Sequence, residues 1–359
     1  MNKLRSLLLA AGLAALLTPA VQAWDYEGHR LINGVALASL PKDFPAFVRA
    51  PANTERILFL AGEPDRWRNA ADDLPLQQVN GTNHYLDYEQ LAEAGLDPAK
   101  VPSFRYDFVT TFAAARAKNI AHFEPIDPKR NKEHSQEWPG FAPWQATEMF
   151  GQLRSAFSYL RAYEERGTPE EVAQAQANIL YIMGVMGHYV GDCSQPLHAT
   201  AHHHGWVGPN PKGYTTWRGI HSWMDGGFLA KAGIKLTDLL PQVETSLPIS
   251  LAPREDGRDP MFVKFMEYVT AQNAQVEPLY ALEKAGKLGH HEQPITDEGR
   301  RFVTGQLVVG GEMLGAMWAT AWKTAAPDTY LLNYLANRKA RAQGLRPPPE
   351  SPLPAKSAK

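Results

Sequence analysis

The chain has 359 residues, 36 Lys and Arg against 38 Asp and Glu, and a formal charge of −2 at neutral pH. Such a balance, with no basic stripe, excludes high-affinity, charge-driven binding to duplex nucleic acid, which requires phosphates to be neutralised along a surface. The single cysteine, Cys193, excludes an internal disulfide and reads as a small buried hydrophobe.

Residues 1–23 combine Lys3 and Arg5, an apolar run from Leu7 to Leu17, and Val21-Gln22-Ala23. That pattern predicts a signal peptide, with an apolar run too short to span a membrane. The mature protein is therefore expected to begin at Trp24 and to be periplasmic or secreted. The roughly 336 residues that follow are enough for one large helical domain.

In chain order, Trp24 is followed by a helix opened by His29, with apolar positions Leu31, Ile32, Val35, Ala36 and Leu40, stopped by Pro41. Residues 57–68 read as an apolar helix or turn delivering Asp65, Arg66 and Arg68, and 83–87 as an extended stretch carrying His84, Tyr85 and Asp87. Helices are predicted at 89–95 and 105–119, a polar loop at 120–142, and a helix at 143–166 with Pro143 in its first turn. A longer helix, 168–193, opens with a capping box of Thr168 and Glu171. A Gly/Pro/His-rich loop occupies 199–219, where His202-His203-His204 are expected to be solvated. Helices near 260–285 and 296–323 complete a domain spanning 24–325. His290 and His291 are assigned to the surface. Residues 326–359 form an extension whose Pro-rich end, from Gln343, has the composition of a disordered tail.

The chemistry concentrates where the 168–193 helix ends. His188 and Asp192 are four residues apart, so both face one side of a helix and can reach one metal ion. Pro196 cannot continue the helix and turns His198 back towards the same spot. A second pair at the same spacing, His221 and Asp225, follows downstream. These groups are too many for one closed mononuclear site, and a centre with several zincs and open water positions fits them better.

Together with Trp24, His29, Asp65 and His84, these residues form a nine-member set. It resembles the complete ligand set of the superfamily that joins bacterial zinc-dependent phospholipases C with the zinc-dependent single-strand nucleases (3′-nucleotidase/nucleases). The similarity runs from Trp24 to about residue 325. It implies a mainly α fold with a trinuclear zinc cleft. Three Zn2+ ions would be held by Asp65, His84, His188 and Asp192; by His198, His221 and Asp225; and by Trp24 and His29, with Asp192 bridging this last to the first. Trp24 would bind through its free amine and carbonyl, which makes export a chemical requirement. Asp65 and Arg68 are the implied catalytic residues, Arg68 stabilising charge on phosphoryl oxygens. Tyr85 and Asp87 stand where the nucleases place a base-stacking aromatic and a base-binding acid.

The interval between Trp24 and His29, the final Asp225 and Arg68 lean towards the nuclease branch. The Gly-Gly-Asn element expected after His198 is replaced by Ala199 to Pro211, and Ile220 stands where Asn often precedes the fifth histidine. The leading expectation is a monomeric phosphodiesterase acting on single-stranded nucleic acid or nucleotides, with no protein partner. A phospholipase C is the alternative, predicting an exposed lipid-facing rim at Trp206, Val207, Tyr214 and Trp217. A non-catalytic zinc-binding protein is the third reading, against which stands a ligand set lacking cysteine. Histidine ligands imply that activity collapses below about pH 5 as they protonate and release metal.

Overall fold

A computed structural model describes residues 24–344, apart from 71 and 291. The signal peptide expected at 1–23 and the Pro-rich stretch from 345 lie outside the described residues. The fold is mainly α, as the periodicity predicts; its one β feature among the described residues is the isolated bridge Leu288–Ile295. Among the described residues, no helix is long and apolar enough to cross a membrane.

The first six helices are α1 (Tyr26–Ser39), α2 (Pro51–Leu60), α3 (Glu63–Arg68), α4 (Leu74–Thr82), α5 (Tyr88–Glu93) and α6 (Arg105–Lys118). Two long helices follow, α7 (Ala142–Arg166) and α8 (Pro169–Asp192). After the histidine loop come the short turns α9 (Ile220–Ser222), α10 (Phe228–Ala232) and α11 (Leu236–Leu239), then α12 (Pro260–Asn273) and α13 (Val276–Lys284). The longest helix, α14 (Asp297–Thr324), precedes α15 (Thr329–Ala342).

The predicted capping box is formed: the Glu171 amide donates to the Thr168 hydroxyl at 3.3 Å and the Thr168 amide to the Glu171 carboxylate at 2.9 Å. From there α8 runs inward, wholly buried from Met183 to Asp192 between α2, α7 and α14. Ile179, Leu180, Met183, Met186 and Val190 form the expected apolar face, while Val172 and Ile182 are only half-buried.

The approach of α1 to α8 is set by Gly187. A Cβ there would stand 1.7 Å from Oδ1 of Asn33. The Asn33 amide donates instead to the carbonyls of Ile57, at 3.0 Å, and Gly184, at 3.2 Å, so one buried side chain ties together α1, α2 and α8. This close packing brings the rings of His29 and His188 to a stacked separation of 3.8 Å.

Several boundaries differ from the sequence reading. Asp25 caps α1 by accepting from the Gly28 amide, so the helix begins ahead of His29. The 57–68 stretch contains the end of one helix and a second one, divided at Ala61-Gly62, and 260–285 likewise divides between α12 and α13. The extension after 325 contains a helix that the sequence reading missed. Asp328 caps α15, Leu335 is buried, and Arg338 makes a bidentate pair with Glu171 at 2.6 and 2.9 Å.

Candidate metal centre and cleft

Seven segments meet where α8 ends. The start of α1 brings His29, α3 brings Asp65, the turn after α4 brings His84, α8 brings His188 and Asp192, and the Pro196 turn brings His198. The helical turn α9 supplies His221, and a π-helical turn, Trp223–Gly227, supplies Asp225. The wider π spacing still brings the two side chains together, with His221 Nε2 3.3 Å from Asp225 Oδ2. Wide turns of this kind recur at functional sites.

Three clusters of possible ligand atoms result: His29, His188 and Asp192; Asp65, His84 and His188; and His198, His221 and Asp225, all buried. In the middle, His84 Nδ1 lies 3.0 Å from His188 Nε2 and 3.0 Å from Asp192 Oδ2. Asp65 Oδ1 lies 4.0 Å from the first of these nitrogens and 3.9 Å from the second. The two oxygens of Asp192 face different ways, with Oδ1 3.3 Å from His29 Nε2 and Oδ2 towards His84 and His188. In the third cluster the Nε2 atoms of His198 and His221 are 2.9 Å apart.

The surroundings fix which nitrogens face inward. His188 Nδ1 donates to the Ala61 carbonyl at 2.6 Å and His198 Nδ1 to the His84 carbonyl at 2.8 Å, leaving each Nε2 as the inward lone pair. Such outer hydrogen bonds orient imidazoles that bind metals. Gln195 donates to Asp225 Oδ1 at 2.7 Å.

A closed hydrogen-bond network would satisfy these groups without a cation, and here it does not. Both nitrogens of His29, Nε2 of His84, Nδ1 of His221, both oxygens of Asp192 and Oδ2 of Asp225 are buried without a hydrogen-bond partner. Buried polar atoms are rarely left so. Burial holds His29 and His188 down to about 4 and pushes His84, His198 and His221 well below the usual imidazole value. Burial raises Asp192 to about 7 and Asp225 well above the ordinary carboxylate range. Neutral imidazoles and carboxylates strained by desolvation form a donor set suited to more than one divalent cation.

Trp24 is also here, 1 % exposed. Its indole donates to Ser194 Oγ at 3.0 Å, and the amide of Asp25 donates to the Asp225 carbonyl at 3.0 Å. The residue expected at the mature N-terminus is therefore beside both helical ends that carry the clusters.

Above the clusters opens a cleft of about 850 Å³. His198, His221 and Arg68 line it together with Tyr85, Trp138, Asp87 and the histidine loop. Arg68 Nη2 pairs with Asp65 Oδ1 at 2.8 Å, and the guanidinium also lines the cleft. Burial raises the Tyr85 phenol, which therefore stays neutral, and raises Asp87.

The expected solvation of His202, His203 and His204 is not found: all three are half-buried and line the cleft. Glu89 pins their loop, accepting from Thr200 Oγ1 at 2.8 Å and the Ala201 amide at 2.7 Å. His203 Nδ1 lies 3.4 Å from Asp87 Oδ1, while Gln90 donates to Asp87 Oδ2 at 3.0 Å. Asp87 is thus engaged by the protein. Sequence offered no signal for this pairing beyond the run of histidines itself. His290, assigned to the surface, stacks on Trp217 at 3.5 Å. Cys193 is buried and its thiol is pushed up by burial, consistent with a packing role.

No known protein-family model matches the chain, and no curated protein matches it at a significant level.

Proposed function

We propose that the protein is a metal-dependent phosphoesterase, using Zn2+ to hydrolyse phosphodiester bonds in single-stranded nucleic acid and phosphate esters of 3′-nucleotides. The observation that carries this reading is the convergence of three buried His/Asp clusters, rich in atoms without hydrogen-bond partners, one of which reaches an open cleft through His198 and His221, beside Arg68.

Asp65, His84, His188 and Asp192 would hold one cation, His198, His221 and Asp225 a second, and His29 with Trp24 a third, Asp192 Oδ1 reaching towards His29. Bound there, the cations would supply a water acidified enough to attack phosphorus near neutral pH, and would offset charge on the phosphoryl oxygens. The chain's own residues do the rest. Arg68, oriented by Asp65, directs a fixed guanidinium at the charge that grows on the phosphoryl group. Tyr85 and Trp138 offer aromatic walls for a base, which favours stacking over sequence-specific readout. His203 occupies one side of Asp87, so base discrimination at that acid is weak.

The lipid alternative required an exposed apolar rim on the 199–219 loop. Tyr214 is buried, Trp206 stacks on His202 at 4.0 Å and packs on Tyr280, and Trp217 stacks on His290; of the four, only Val207 is well exposed. That packing favours nucleic acid.

Turnover by zinc-loaded protein beginning at Trp24 tests the reading, with single-stranded DNA, RNA, 3′-AMP and phosphatidylcholine offered in parallel. Nucleotide or phosphate release is expected from the first three. Phosphocholine release alone would assign a phospholipase, and metal binding with no turnover a zinc-binding protein.

A further inference from the structure

A second depression adjoins α3, which also borders the main cleft through Arg68, and has a volume of about 430 Å³, within the size range of small-molecule sites. Tyr26, Phe59, Gly62, Asp65, Arg66 and Asn69 line it. Asp65 thus faces this pocket and belongs to a candidate metal cluster, while Arg68, its ion-pair partner, faces the main cleft. The short helix α3 thus contributes residues to both depressions and to the cluster.

The pocket is built for a flat group. The Tyr26 ring lies directly on Gly62, where a Cβ would stand 2.6 Å from it. Arg30 fixes the other end of that ring, donating to the Tyr26 hydroxyl at 3.4 Å and held in turn by both oxygens of Glu55. Phe59 is 39 % exposed, and the Arg66 guanidinium lies 4.9 Å over its ring, adding a planar cationic surface. Asn69 offers an amide that can both donate to and accept from a base edge.

The charges select further. Arg66 is already paired with Glu63 at 2.6 Å, and Asp65 adds another carboxylate, so the pocket does not favour a phosphate. The polar groups of Asp65, Arg66 and Asn69 make it unsuitable for an acyl chain. An uncharged planar ring with hydrogen-bonding edges fits.

We propose that this pocket is a second nucleobase subsite, which takes the base on the far side of the scissile phosphate while the first base sits in the main cleft. The inference rests on the phosphoesterase reading above and deepens it: a strand passing along α3, with a base in each depression, makes a polynucleotide a better substrate than a mononucleotide.

The test compares wild type with Phe59→Ala and Asn69→Ala, measuring KM and kcat on a single-stranded oligonucleotide and on 3′-AMP. Base stacking on an aromatic ring contributes enough that Phe59→Ala is expected to raise the oligonucleotide KM about tenfold relative to the KM for 3′-AMP. Asn69→Ala is expected to change the preference for the base next to the cleaved bond. Equal effects on both substrates, or none on either, would overturn the subsite while leaving the phosphoesterase reading intact. A wild-type protein that turns over neither substrate would overturn that reading itself, and the subsite with it.

Discussion

Replacing Asp192 by Asn separates a metal centre from a buried hydrogen-bond network, because the two predict opposite signs. In the cation-free protein, burial raises the Asp192 carboxyl from 3.8 to about 7. A folded-state value above the unfolded one means that ionisation opposes folding. The penalty is absent below the unfolded value, grows between the two, and is complete above pH 7. A rise of roughly three pH units, at about 1.4 kcal/mol each, amounts to a penalty on the order of 4 kcal/mol. The amide introduced by Asp192→Asn would keep the shape, carry no charge, and could donate to the inward lone pair of His188 Nε2. Denaturant unfolding at pH 8 in a chelator should therefore find the variant more stable than wild type, with the difference vanishing near pH 4. With zinc in place of chelator the order should reverse, since the carboxylate that faces His29 on one side and His84 on the other is gone, and bound zinc should fall. A variant less stable than wild type at pH 8 in chelator would show that protein groups already compensate the carboxylate, and the metal-centre argument would fail.

Three further outcomes follow from the same geometry. Arg68→Lys keeps the charge but loses the planar guanidinium donors, and should lower kcat by about 100- to 1,000-fold with bound zinc unchanged; a parallel loss of metal would instead make Arg68 a structural partner of Asp65. Burial keeps His29 and His188 neutral down to about 4 in the cation-free protein, so protons compete with metal chiefly at Asp192, near 7, and at Asp225. Zinc affinity should accordingly begin to weaken as pH falls through 7, well before the histidine limit expected from sequence, and calorimetry in buffers of different ionisation enthalpy should detect proton release at pH 6. Gly187→Ala drives a methyl into Asn33 and breaks its two buried hydrogen bonds, costing roughly 3–5 kcal/mol in thermal or denaturant unfolding; a cost under about 1 kcal/mol would mean that α1 and α8 separate easily.

What could be read in the sequence was what is local. The capping box at Thr168, the four-residue spacing of His188 and Asp192, and the turn at Pro196 are each set within a few residues, and each is found in the structure. The second His/Asp pair was legible as a pair, but the π-helical turn beneath Asp225 was not, since its spacing depends on packing around Trp223. His203 was misplaced because its burial depends on Glu89, more than a hundred residues earlier, which holds the Thr200 hydroxyl and the Ala201 amide. The helix after 325 is anchored through Arg338 by Glu171, a long-range contact that no local pattern records. His29, Asp65 and His84 are unremarkable singly, and only the fold brings them to the end of α8.

The indole of Trp24 meets Ser194 across 170 residues of chain. A contact of that span incurs a large loop-closure entropy before it returns any stability, so it forms late in folding. The helices α7 and α8 can pair early, through a short connection, while the first residues of α1 reach the end of α8 only when most of the chain is already in place. The cluster containing His29 is thus the last part of the centre to close. Zinc supplied during refolding should leave the early gain of helix unchanged and raise the fraction of chains that complete the final docking step.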